Sequence, residues 1–104
     1  MRIFHIATRA DWEGAQLAGA YTTSTIGRPL QQEGFIHAAF EEQWPLVKRR
    51  YYADAFEPLL LLEIDPERLT SPLIEEQPAP GVEEVYPHIY GPLNLDAVVA
   101  TRGI

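Results

Sequence analysis

Cysteine is absent from all 104 residues. That absence removes disulfides, thiolate nucleophiles and cysteine-ligated zinc together, leaving His, Asp and Glu as the strong metal-binding side chains. Long apolar runs are missing too: no window approaches the roughly 18 residues a membrane span needs. The opening stretch MRIFHIATRADWEGA turns charged too early for a signal peptide, so a cytoplasmic protein with no membrane partner is expected. Basic residues are scarce, eight against fifteen acidic ones, for a formal charge of −7. Apart from Lys48, Arg49 and Arg50 they are scattered, and the long-range field repels a polyanion, so nucleic acid is not an expected partner. No glycine-rich loop can cradle phosphate, because Gly14, Gly19, Gly27, Gly34 and Gly91 are isolated. No G-x-S-x-G turn marks a serine nucleophile.

What remains is a chain 46% hydrophobic and long enough for one core, read as a single domain over residues 1–104. RIFHIAT reads as a strand with Ile3, His5 and Ala7 on one face. Thr8 and Asp11 then form a capping signal for a helix through ADWEGAQLAG, with Trp12, Ala15 and Ala18 on one face and Gly19 as its stop. After a Thr-, Ser-, Gly- and Pro-rich stretch, GFIHAAF reads as a strand. A second helix is expected from Glu41 to Tyr52, with Pro45 in its first turn, Trp44, Val47 and Tyr51 as its buried stripe and Lys48 to Arg50 at its C-terminal end. LLLLEID shows no alternation and reads as a central strand covered on both faces. LIEEQ is an edge-strand candidate and PAPGVEE an acidic, proline-rich loop of mobile character. VYPHIYG places Tyr86, His88 and Tyr90 on one face, with Pro87 marking an edge or a bulge, and NLDAVVAT closes the sheet. The class is α+β. The pairs Glu75–Glu76 and Glu83–Glu84 read as solvated charge.

All three histidines, His5, His37 and His88, fall inside predicted strands. A single histidine on an apolar face is more often a packing residue than a catalyst. Three of them, if their strands are neighbours, can converge on one cleft with aromatic walls from Trp12, Tyr86 or Tyr90 and form a ligand site titrating near neutral pH. A metal is not expected, because the three lie far apart in sequence without the close pair that often builds such a site.

IFHIATRADW, EGFIHAAF, LLLLEID and YPHIYGPLNLDAVV together resemble, over nearly the whole chain, the DUF952 family, small bacterial proteins grouped as a domain of unknown function. That family looks like a compact relative of the ADP-ribosyltransferase and RNA 2′-phosphotransferase fold, a split β-sheet with two flanking helices that binds NAD in a cleft. The resemblance implies catalytic positions at His5, His37 and His88. It implies ligand contacts from His5, Thr8, Trp12, His37 and Tyr90, with NAD as co-substrate and a small-molecule nucleotide as partner. Two departures stand out. Where many members carry Cys-Ser or a similar polar pair after the middle histidine, this chain has Ala38-Ala39. Where the wider superfamily often has a Glu near the C-terminal strands, this chain has His88, and an imidazole stabilises developing positive charge less well than a carboxylate. Two readings stay open: a transferase acting on NAD or a related nucleotide, and a non-catalytic binding module that retains the pocket. The sequence carries no signal for oligomeric state.

Overall fold

In the computed structural model, which describes residues 1–104, the apolar runs RIFHIAT and LLLLEID pair with each other. β1 (Ile3–Thr8) is buried along its whole length and lies antiparallel to β6 (Leu59–Ile64), and β10 (Val98–Gly103) covers the other edge of β6. The lack of alternation in β6 has a direct cause. Leu60, Leu62 and Ile64 enter one apolar cluster, with Ile3, Ala7 and Tyr21, while Leu59 and Leu61 enter another, with Phe4, Ile6 and Tyr52. Each such Leu or Ile contributes about 1.5–3 kcal/mol relative to exposure, so β6 anchors both cores.

Each cluster has its helix. α1 (Arg9–Ala18) follows β1 directly: the Asp11 N–H donates to Thr8 Oγ1 at 3.0 Å, and Gly19, at φ +93°, ends the helix by donating its N–H to the Ala15 carbonyl. Ala15 is buried in the first cluster and Trp12 packs beside it, but Ala18, expected on the same face, is exposed. The second long helix is shorter than expected: it begins at Trp44, not Glu41, and ends at Tyr51. Residues 41–43 form a turn instead, because the buried Gln43 side chain accepts the Phe40 N–H at 2.9 Å and donates to the Val85 carbonyl at 3.0 Å. Trp44 and Val47 pack on the second cluster as expected, whereas Tyr51 is exposed and Tyr52 is the residue that fills the core.

The second three-stranded sheet has the order β5 (Ile36–His37), β8 (Tyr86–Ile89), β7 (Leu73–Glu76), all antiparallel. GFIHAAF forms a far shorter strand than its pattern suggests. After His37 the chain leaves this sheet and crosses to the first: the Ala38 N–H still donates to the Pro87 carbonyl at 3.1 Å, but Ala39 and Phe4 exchange both backbone hydrogen bonds at 2.8 Å. Residues 37–39 therefore join the two sheets at a split. Pro87 sits in the central strand β8, not on an edge. In an antiparallel ladder a residue directs its nitrogen and carbonyl to the same side; here that side meets the chain just past β5, where the Pro87 carbonyl accepts the Ala38 N–H, so the proline forgoes a single return bond at the point where the chain leaves the sheet.

Between these units run short elements: β2 (Ala20–Tyr21) paired with β9 (Leu93–Asn94), β3 (Thr23–Thr25) paired with β4 (Arg28–Pro29), and a single-turn helix (Leu30–Glu33). The sequence reading expected two helices; the third escaped it because four residues cannot display a helical period. Gly34, at φ +89°, ends this turn and starts the residues that carry His37. The whole is a mixed α and β domain of three helices and several small antiparallel sheets.

Candidate functional site

At the split, backbone groups lose their regular partners and side chains take over. The His37 carbonyl, which faces the gap between the sheets, accepts a hydrogen bond from His5 Nδ1–H at 2.5 Å. A carbonyl can only accept, so Nδ1 carries the proton and Nε2 accepts from the Tyr21 hydroxyl at 2.8 Å. Both nitrogens of this buried imidazole are thus used inside the protein. Burial pushes its pKa down to about 4, so His5 is neutral near pH 7. Burial likewise raises the Tyr21 hydroxyl, which stays protonated as the donor.

His37 and His88 are directly opposite each other on β5 and β8, and their rings stand edge to face with centroids 5.3 Å apart. Phe35, two residues before His37 and so on the same side of the chain, stacks on His88 at 4.1 Å and meets His37 edge-on at 4.7 Å. The two imidazoles differ in surroundings. His37 has a side chain 40% exposed, with Nε2 3.6 Å from Glu33. Desolvation lowers its pKa first and the neighbouring His88 second, with Glu33 opposing both. His88 is buried, and its Nδ1 lies 2.8 Å from Glu76 Oε1. The Tyr90 hydroxyl donates to the same oxygen, and these two hydrogen bonds hold the Glu76 carboxyl below its ordinary pKa. A carboxylate only accepts, so His88 Nδ1 is the donor; His88 Nε2 is buried with no hydrogen-bond partner.

Beside the imidazoles lies a cleft of about 510 Å³. His5, His37 and His88 all reach its wall; so do Trp44, Tyr51 and Tyr86, the guanidinium-bearing Arg28 and Arg50, and Pro78, Ala79 and Val82 of the acidic loop. Thr8, Trp12 and Tyr90 do not. The Thr8 hydroxyl is taken by its helix cap, Trp12 packs against Tyr21 at 6.4 Å, and Tyr90 gives its hydroxyl to Glu76 and its ring to Phe35 at 5.3 Å. No group of three or more His, Asp or Glu side chains is placed to hold a metal ion.

Sequence reasoning missed Glu76, Glu33 and Phe35. Glu76 was read as solvated charge; it sits on β7 one diagonal from His88, since Ile74 pairs with His88 and Glu76 with Tyr86. Glu33 and Phe35 flank the αL residue Gly34, and only the turn there brings both to His37.

A family model described as a protein of unknown function, DUF952, matches residues 6–101. The chain belongs to the DUF952 family. Among solved structures, the crystal structure of protein CC0527 from Caulobacter crescentus is similar to this DUF952 domain with a TM-score of 0.83 and 27% identity, covering 99% of this chain and 85% of that one. A double mutant of CC0527 gives 0.82 at 26% identity, and its solution NMR structure gives 0.68 at 26% over 97% of this chain and 82% of that one. A search of curated proteins gave no match. No helix of this DUF952 protein is long and apolar enough to cross a membrane.

Proposed function

We propose that this DUF952 protein binds a small nucleotide-type ligand, NAD or a relative, in the cleft beside His37 and His88, and that its fold is a compact relative of the ADP-ribosyltransferase and RNA 2′-phosphotransferase fold. The observation that carries the reading is the meeting of flat rings and guanidinium groups in one cleft: Trp44, Tyr51, Tyr86 and His37 beside Arg28 and Arg50. Stacking on aromatic side chains contributes roughly 1–3 kcal/mol per base. Arginine offers phosphate oxygens a planar, charge-assisted fork. The net charge of −7 does not oppose a small ligand as it opposes a polyanion, because charges farther than about 8 Å are largely screened at physiological salt, and the charges in the cleft wall are Arg50, Arg28 and one carboxylate, Glu33, 3.8 Å from Arg28. The sheet that parts at residues 37–39 supports the fold likeness.

In this reading His37 and His88 touch the ligand, and His5 holds the His37 backbone in place through its carbonyl. A second reading, a binding module without transfer chemistry, is favoured by one specific arrangement: Glu76 lies outside the cleft wall and reaches it only through His88, so no carboxylate stands at the third position. Calorimetry with NAD, ADP-ribose and nicotinamide, followed by an assay for released nicotinamide, decides. The transferase reading expects NAD to bind and nicotinamide to appear. Binding without release selects the module, and absence of binding by all three removes the nucleotide reading.

A further inference from the structure

His88 poses a problem that the nucleotide reading alone leaves unsolved. Its Nδ1–H is committed to Glu76, which Tyr90 fixes from the other side, so in its neutral form the ring keeps its lone pair on Nε2. That nitrogen is an acceptor with no donor, in a residue 1% exposed. Leaving a buried acceptor unpaired is unfavourable, and the same neighbours that bury it supply nothing to fill it: Phe35 stacks on the ring and His37 meets it edge-on. His37 is the partly exposed member of the trio and meets the His88 ring where both line the cleft, so a ligand that reaches Nε2 has to turn the His37 side chain aside.

We infer that His88 Nε2 is the specificity-determining acceptor of the cleft: the occupant sets an N–H donor of a primary amide or an exocyclic ring amine against it, and Glu76, with Tyr90 behind it, keeps His88 in the accepting tautomer. The inference rests on the nucleotide reading and goes beyond it by naming the group recognised. A carbonyl or carboxylate in the same place would set acceptor against acceptor, which the site rejects without any steric clash. Glu76 acts as a positioning residue, since it touches His88 and not the cleft.

The test compares three dinucleotides by calorimetry on the intact chain: NAD, its acid analogue in which the carboxamide is a carboxylate, and its hypoxanthine analogue in which the adenine amine is a carbonyl oxygen. NAD is expected to bind at least about tenfold tighter than one of the two, and which analogue fails tells whether the amide or the amine faces His88. Glu76→Gln frees the tautomer and should shrink that ratio by several-fold while leaving the fold intact, because Glu76 is an edge-strand residue partly open to water. Nitrogen NMR of the ligand-free protein gives an independent reading: His88 should be protonated at Nδ1 and bare at Nε2. Equal affinity for all three dinucleotides overturns this inference and leaves the nucleotide reading standing. Failure of all three to bind overturns both. A proton found on Nε2 overturns the acceptor role whatever binds.

Discussion

His5 and His88 are buried to almost the same degree, 2% and 1% exposed, yet they do opposite things. On the β1 side of the split, His5 gives one nitrogen to the His37 carbonyl and the other to Tyr21, so the ring is a strut that closes the gap between two sheets. On the β8 side, His88 is fastened at one nitrogen by Glu76 and left bare at the other. Burial alone therefore does not separate a structural imidazole from one poised for a ligand. The count of satisfied nitrogens does, because an unpaired buried polar atom is a standing cost that folding alone leaves uncompensated.

The sharpest way to break this comparison is to give both positions the same substitution. His5→Phe keeps a flat ring but leaves the His37 carbonyl and the Tyr21 hydroxyl unpaired in the core, and we expect a loss of about 3 kcal/mol or more in urea unfolding. His88→Phe keeps the stack on Phe35, deletes an acceptor that had no partner and loses one hydrogen bond to Glu76, a carboxylate partly open to water that keeps Tyr90, so its change should stay within about 1.5 kcal/mol. Equal losses at the two sites would erase the distinction.

Acid should act through His5 with a comparable effect. Its folded pKa of about 4 lies below the 6.5 of a free histidine side chain, so the unfolded chain binds the proton first. Stability is therefore full above about pH 6.5 and drains as pH falls toward 4, by on the order of 3 kcal/mol in total. His37, lowered for the same reason of burial, adds in the same direction. Denaturant midpoints measured from pH 7.5 to 4 should show this slope, and His5→Phe should flatten most of it.

Smaller effects sharpen the contrast between scaffold and site. Thr8→Ala removes the α1 cap and should cost about 1 kcal/mol with no change in ligand affinity, since the Thr8 hydroxyl is engaged with Asp11 and stands away from the cleft. His37→Ala should cost less, under about 1 kcal/mol, because the ring is partly exposed and its backbone, not its side chain, ties the sheets. Its ligand affinity should nevertheless fall several-fold, and His37→Tyr, which restores a flat ring, should recover it. Melting temperature and calorimetry on the same samples check both.

Much of the scaffold was legible in the residues because its signals are local. Thr8 to Gly19 carries its own start and stop, and LLLLEID announces a strand covered on both faces without knowledge of its partners. A period of two in GFIHAAF sets Phe35, His37 and Ala39 on one face and Ile36, Ala38 and Phe40 on the other; Phe35 does meet His37 and the second three do join the first cluster, but Ala39 has crossed to Phe4. What failed was pairing. Nothing local says that Ala39 pairs with Phe4 while His37 pairs with His88, so the short length of β5 and the split itself stayed hidden. Glu76 stayed hidden for the same reason: its link to His88 depends on the register of two strands joined across residues 77–85. Pro87 misled because the rule against proline in central strands concerns ladder bonds inside the strand, and here the one bond forgone faces Ala38, where the chain leaves β5 for the first sheet.

Histidine-selective nitrogen NMR during a titration with NAD tests the central claim most directly, since the chain has three imidazoles and each has a distinct assignment of roles. Ligand should shift the ring signals of His37 and His88, with His88 Nε2 moving as it gains a donor, while the His5 signals stay fixed. A titration in which His5 responds most, or in which His88 stays unmoved while NAD binds, would contradict the division between a structural imidazole on β1 and a ligand-facing pair on β5 and β8.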